Sequence, residues 1–144
     1  MKTVKDILHE KGTEVYTVNL NDSVFFALSR FAEVNVGALV VVDDNMDVVG
    51  IVSERDYARK VFLKGISSHD ALVKDIMTDK VCYAHPSRSV EECLALITEK
   101  RCRHLPVMEN GKLGGLVSIG DLVKATIDEK EFLISQLTQY IKSG

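Results

Sequence analysis

Two aliphatic tracts, Ala38-Leu39-Val40-Val41-Val42 and Val48-Val49-Gly50-Ile51-Val52, flank the polar stretch Asp43-Asp44-Asn45-Met46-Asp47. Short β-branched runs without polar alternation predict strands buried on both faces. Together they predict a hairpin, Ala38–Asp43 with Val48–Ser53. The pattern returns as His104–Met108 with Leu113–Ser118, joined by Asn110-Gly111, a strong tight-turn signal. A Ser-capped helix is expected before each hairpin. In the second copy Ser89 and Glu92 form an S-x-x-E capping box, and Val90, Cys93, Leu94 and Ile97 fall on one helical face. Short strands at about Val15–Val18 and Val81–Ala84 come ahead of these helices. Second helices start near Glu54 and Ile119.

The chain is therefore written twice. Gly50-Ile51-Val52-Ser53-Glu54-Arg55-Asp56 matches Gly115-Leu116-Val117-Ser118-Ile119-Gly120-Asp121, and Ala38–Asp43 matches His104–Glu109. Ser23-Val24 matches Ser89-Val90, and Val4-Lys5-Asp6-Ile7-Leu8 matches Val73-Lys74-Asp75-Ile76-Met77. Four blocks in one order mark a duplication. The expected divisions are a first repeat over 1–64, a linker over 65–72, a second repeat over 73–127 and a terminal helix over 128–144. That last helix is amphipathic, with Phe132, Leu133, Leu137, Tyr140 and Ile141 at helical spacing. It could pack on its own core or on a partner chain. A unit of about 60 residues is marginal alone. The expected architecture is thus α/β (α+β): two β-α-β-β-α units packed sheet against sheet by a pseudo-two-fold, with a cleft between them, plus a C-terminal helix.

Composition narrows the function. A net charge of −3 over 144 residues argues against a nucleic-acid-binding domain, which is usually basic. No apolar stretch approaches the roughly 20 residues a bilayer crossing needs. The start, MKTVKDILHEKG, is too charged for a signal-peptide core, so a cytoplasmic location is the expectation. Cys82, Cys93 and Cys102 lack CxxC spacing and are expected to be reduced thiols, with Cys93 a small buried hydrophobe. The histidines (His9, His69, His85, His104) show no metal-ligand spacing, and no recognisable nucleophile–base set is present. Neither a metal site nor catalysis is expected.

The V-K-D-I-L and V-K-D-I-M openings, R-H-L-P-V and the doubled G-h-V-S-x-x-D resemble a tandem pair of CBS domains, named after cystathionine β-synthase. The resemblance covers nearly the whole chain except the final helix. It implies a stand-alone, non-catalytic regulatory module. Such modules commonly hold AMP, ADP, ATP, NAD or S-adenosylmethionine in the cleft between repeats, with no required cofactor, and often form homodimers. A ligand-independent dimerisation module is the alternative reading.

Ser53 with Asp56, and Ser118 with Asp121, stand where the N-cap and third residue of a helix belong. Capping alone accounts for such a pair. The same geometry also presents helix N–H groups to a phosphate and an acidic residue to a ribose diol. The resemblance assigns Asp56 and Asp121 to ribose, and Ser53 and Ser118 to phosphate. Arg55 and Arg59, four apart on one helix face, suit a di- or triphosphate or else a solvated surface. The second copy has only Lys124 as a basic residue nearby. Arg103 and His104 precede Leu105-Pro106-Val107 where the first copy has Gly37 and Ala38, and the resemblance places both near phosphates. Pseudo-two-fold packing would let these four basic residues converge, making the two sites non-equivalent. Thr17, Val18, Val36, Gly37 and Ala38, with Cys82, Tyr83 and Ala84 in the second copy, are candidates for an apolar adenine slot, against plain core packing.

Overall fold

The computed structural model describes residues 1–143. Its elements run α1 (Val4–Lys11), β1 (Thr17–Asn19), α2 (Val24–Val34), β2 (Ala38–Val42), β3 (Val48–Ser53), α3 (Glu54–Tyr57), a π-helical turn (Ala58–Phe62), α4 (Val73–Ile76), α5 (Val90–Lys100), β4 (His104–Glu109), β5 (Lys112–Ser118) and α6 (Ile119–Ser143). The expected mixed α/β class with two sheets and a C-terminal helix is what forms.

The chain makes two compact units. One comprises Val15–Val81, and the other joins Met1–Glu14 to the chain from Cys82 onward. The units therefore do not follow the linear order of the repeat. In the second unit, the N–H groups of Val4 and Lys5 at the start of α1 donate to the carbonyls of Arg88 and Pro86, both at 2.9 Å. Val4 and Leu8 then enter the core of that unit with Val90, Leu105 and Leu122. In the first unit Val73 N–H donates to Asp22 O at 2.8 Å and Lys74 N–H to Leu20 O at 3.0 Å, so α4 joins the core around Val18, Phe31, Leu39 and Val52. Each V-K-D-I opening thus packs in the unit of the other repeat. The local pattern carries no sign of this, because a short amphipathic helix does not specify which sheet covers it.

The first unit has the order β1-β2-β3, with β1 parallel to β2 and β3 antiparallel to β2. All five β2 residues are buried, as their unbroken aliphatic run predicts. The second unit has only the antiparallel pair β4-β5. The strand expected at Val81–Ala84 is reduced to a single parallel bridge, Ala84 to Val107. Pro86, two residues on, has no N–H to extend a ladder. The first strand sits at Thr17–Asn19 rather than Val15–Val18. In the β4-β5 turn Asn110 (φ 54°) and Gly111 (φ 76°) both take the positive φ that an Asn-Gly hairpin turn requires. The Ser89–Glu92 capping box also forms as expected, with Val90, Cys93 and Ile97 buried beneath it.

The two closing helices differ. After β3 the chain makes one α turn and then a π turn, whereas after β5 it runs on as a single 25-residue helix. The separate terminal helix expected from Asp128 is the continuation of α6. Nothing between Leu122 and Lys142 is Gly or Pro, so no residue in that stretch interrupts the hydrogen-bond ladder.

Candidate functional site

Each unit carries one complete set of candidate residues at the end of its hairpin. In the first unit Ala38 pairs with Ser53 across the β2-β3 ladder, and Glu54 N–H donates to Gly37 O at 3.2 Å. In the second, His104 pairs with Ser118, and Ile119 N–H donates to Arg103 O at 2.9 Å. Arg103 therefore stands in its unit where Gly37 stands in the other. The strand start that offers backbone in the first unit offers a guanidinium and an imidazole in the second.

Both S-x-x-D blocks are helix caps with acidic partners. Ser53 Oγ accepts from Asp56 N–H at 3.2 Å, and Asp56 Oδ2 accepts from Ser53 N–H at 2.9 Å and from the Ser53 hydroxyl at 3.0 Å. Ser118 Oγ accepts from Asp121 N–H at 3.1 Å, and Asp121 Oδ2 accepts from Ser118 N–H at 2.9 Å. The capping interpretation of these residues is therefore realised in both copies. It does not exhaust the carboxylates, because the box uses one oxygen of each.

Two lysines complete the picture. Lys60 donates to Ile76 O at 2.9 Å and lies 3.5 Å from Asp56 Oδ1. Lys11, in the last turn of α1, donates to Leu116 O at 2.9 Å and to Asp121 Oδ2 at 2.7 Å. Both acidic side chains are largely shielded, at 17% and 24% relative exposure. The pairs differ in strength. The first is an i,i+4 pair with a half-exposed lysine, a class worth about 0.3–0.5 kcal/mol. The second is a short charge-assisted bond between elements far apart in the chain, a stronger class. Burial would push the Asp121 carboxyl up, but the Lys11 ammonium and the Ser118 N–H together hold it below 3.8.

The remaining candidates divide by surroundings. Arg55, Arg59 and Arg103 are exposed, and none forms an ion pair among the described residues. The basic neighbour of Asp56 is Lys60 rather than Arg59. The π turn also alters the α-helical spacing that would set Arg59 directly above Arg55, since its ring closes over five residues instead of four. His104 is half-buried at the start of β4. Of the adenine candidates, Val18, Ala38 and Ala84 are buried, and Val18 and Ala84 belong to the two cores. Thr17 and Val36 are half-buried, while Gly37 and Tyr83 are exposed. Cys82 packs beside Cys102, whose thiol is pushed up to about 11 by burial and by the hydrogen bond to Cys82.

Lys60 was legible in principle as the i+4 neighbour of Asp56. Lys11 was not, because only the fold brings α1 to the start of α6. Among the described residues, no helix is long and apolar enough to cross a membrane.

Comparison with known proteins agrees with the duplicated fold. The CBS domain family matches twice, over residues 4–62 and 73–128. The chain is 36% identical over 150 residues to the CBS domain-containing protein CBSX3, mitochondrial, of Arabidopsis thaliana, covering 99% of this chain and 73% of that protein. Its fold is similar to that of a Burkholderia ambifaria protein with CBS domains, named for an assumed signal-transduction role. That likeness has a TM-score of 0.82 at 55% identity and covers 88% of this chain and 95% of the other. A hexameric CBS-CP12 protein from bloom-forming cyanobacteria is also similar (TM-score 0.77, 26% identity, 85% of this chain and 70% of the other). With two family matches spanning most of its length and both repeats folded around the same hairpin and cap, the chain belongs to the CBS domain family.

Proposed function

We propose that this chain is a non-catalytic regulatory module that binds an adenine nucleotide (AMP, ADP, ATP or NAD) through its two S-x-x-D blocks. The observation that carries the reading is the twinned cap. In each unit a shielded aspartate is fixed at the first turn of a helix with a serine beside it; Arg55 and Arg59 flank it in sequence in the first unit, and in the second Arg103 and His104 stand at the start of the strand paired with Ser118. Asp56 and Asp121 would accept the hydroxyls of a ribose. Arg55 and Arg59 in one unit, with Arg103 and His104 in the other, would meet phosphates alongside Ser53 and Ser118. Adenine would lie against Thr17, Val36 and Gly37 in the first unit and against Cys82 and Tyr83 in the second, with Val18, Ala38 and Ala84 forming the slot floors behind them. Ligand binding regulates only if it favours one conformation over another. The reading includes a homodimer acting in the cytoplasm, where three free cysteines suit a reducing environment.

The test is thermal unfolding with AMP, ADP, ATP, NAD and S-adenosylmethionine, on the parent chain and on Asp56→Ala and Asp121→Ala. Ligand at 100 times its Kd adds about 2.7 kcal/mol of stability, a plain melting shift. Ser53→Ala and Ser118→Ala, which remove a cap hydroxyl but keep the carboxylate, separate lost capping from a lost ribose acceptor. No shift with any of the five ligands would refute the reading.

A second reading, a ligand-independent interaction module, is favoured by α6. Its residues Ile127, Phe132, Leu133, Ile134, Leu137, Tyr140 and Ile141 are all at least half exposed. Apolar surface in one run on a single helix suits association.

A further inference from the structure

Lys11 is not part of either repeated block, yet it makes the shortest ion pair among the described residues, on the carboxylate assigned above to ribose. Its ammonium rests on the same Oδ2 atom that Ser118 N–H holds, and Leu116 O fixes it from a second side. A neutral diol approaching Asp121 must therefore compete with a charge-assisted donor for a carboxylate. An ammonium displaced from a shielded carboxylate needs a replacement anion, because leaving it unpaired forfeits the interaction with nothing in return.

We propose that Lys11 is the specificity-determining residue of the Asp121 site. It excludes unphosphorylated nucleosides and admits ligands that carry both cis-hydroxyls and a phosphate. The hydroxyls take over Asp121, and the phosphate takes over the Lys11 ammonium. The net exchange is one charge-assisted bond for another, so a nucleotide enters at little cost where a nucleoside loses the ion pair outright. The Asp56 site lacks such a filter. Lys60 sits at 3.5 Å on Oδ1, an i,i+4 pair from the same stretch of chain, with its ammonium nearer to Ile76 O. The two sites therefore differ in their tolerance for adenosine as well as in their arginines. This inference rests on the nucleotide-binding reading.

The test is calorimetric titration of adenosine and AMP into Asp56→Asn, which leaves Asp121 as the one aspartate assigned to ribose, with and without Lys11→Met. Methionine keeps much of the apolar stem and removes the charge. In the Lys11 parent, AMP should bind at least about ten-fold more tightly than adenosine, the scale of one charge-assisted bond. In Lys11→Met, adenosine should tighten and the preference should fall to within about three-fold. An unchanged preference in Lys11→Met would overturn the proposal. So would weaker binding of both ligands by the same factor, which would make Lys11 a general support of the site. Lys11→Gln, with the melting point of each variant recorded, guards against misfolding of the methionine form. If the wild-type chain binds none of AMP, ADP, ATP, NAD and S-adenosylmethionine, the nucleotide reading itself fails and this inference falls with it; if it binds another of these but not AMP, only the inference falls. If wild type binds and the preference ignores Lys11, only the inference falls.

Discussion

Lys11 Nζ lies 2.7 Å from Asp121 Oδ2 and joins the last turn of α1 to the first turn of α6 across 110 positions. This contact closes the unit in which the N-terminal helix serves the second repeat. It also gives that unit a pH dependence. The Asp121 carboxyl is held below 3.8 in the folded chain, so folding favours its ionised form. The stability this supplies is complete above the unfolded value and is lost as pH falls through the folded one. Asp6 and Glu92, exposed caps held down chiefly by the Thr3 and Ser89 backbone N–H groups, move in the same direction. The informative quantity is therefore a difference. The difference in unfolding free energy between wild type and Asp121→Asn, read from urea denaturation and about 1–3 kcal/mol for a lost charged partner, should hold steady from pH 7 to pH 5 and close as the pH falls below 3.8. A gap that widens on acidification would mean that Asp121 is not stabilised as the anion.

Gly50 and Gly114 stand in β3 and β5, and their surroundings predict opposite responses to alanine. A Cβ on Gly50 would lie 2.6 Å from Met77 Sδ and 2.9 Å from the Thr78 carbonyl oxygen. Thr78 cannot easily yield, since it exchanges backbone hydrogen bonds of 2.9 and 2.8 Å with Ile51. Gly50→Ala should cost about 1–3 kcal/mol, as overpacking does. At Gly114 the nearest atom is 3.8 Å away, so Gly114→Ala should be neutral or stabilise by up to about 1 kcal/mol through backbone entropy. Chemical denaturation of the two variants decides it, and equal costs would contradict the local geometry.

These cases show where sequence reasoning reached its limit. Features set by residues a few positions apart were readable: the Ser89–Glu92 box, the Asn110-Gly111 turn, the fully buried strand β2 and both S-x-x-D caps; β5, by contrast, has exposed and half-buried positions between its buried ones. Lys60 belongs with them, because helical spacing alone relates it to Asp56. What depended on tertiary partners was not readable. Val4-Lys5-Asp6-Ile7-Leu8 has an apolar face, but nothing in its pattern says that Leu8 meets Gly115 in the other repeat's sheet. Lys11 followed α1 there and so became a partner of Asp121. The reduction of Val81–Ala84 to one bridge has the same origin, since a strand's length depends on the edge it finds. The π turn at Ala58–Phe62 has no signal in its own residues that we can identify.

The thiols offer a chemical readout of the second core. Cys102 is pushed up to about 11 by burial and by its hydrogen bond to Cys82, and burial also raises Cys93. At pH 8 a thiol of that kind is about one part in a thousand thiolate, against roughly one in ten for a free cysteine near 9. Iodoacetamide at pH 8 should therefore label Cys102 in native protein at least about ten-fold more slowly than in urea-unfolded chain. Cys82→Ala should accelerate native labelling of Cys102, because one of the interactions that favours the neutral thiol is gone. Rapid labelling of Cys102 in the intact chain would contradict the packing of this pair.

The exposed length of α6 allows stability and association to be separated. Leu122 and Ala125 anchor its first turns in the core, whereas the side chains from Lys130 to Lys142 are exposed. A helical segment of that size is marginal by itself, so it gains little from propensity and contributes little to the core. Ile134→Glu with Leu137→Glu changes only exposed positions, at 63% and 61% exposure. At low protein concentration the double variant should melt within about 2 °C of wild type, since surface substitutions rarely exceed about 0.5 kcal/mol. If copies of the chain meet along this apolar face, the variant should shift to a smaller mass in light scattering, and the concentration dependence of wild-type melting should disappear in the variant. A wild-type chain that is already monomeric at all concentrations would remove the homodimer from the proposed function. A large melting loss at low concentration would instead mean that α6 stabilises its own unit beyond the residues its burial identifies.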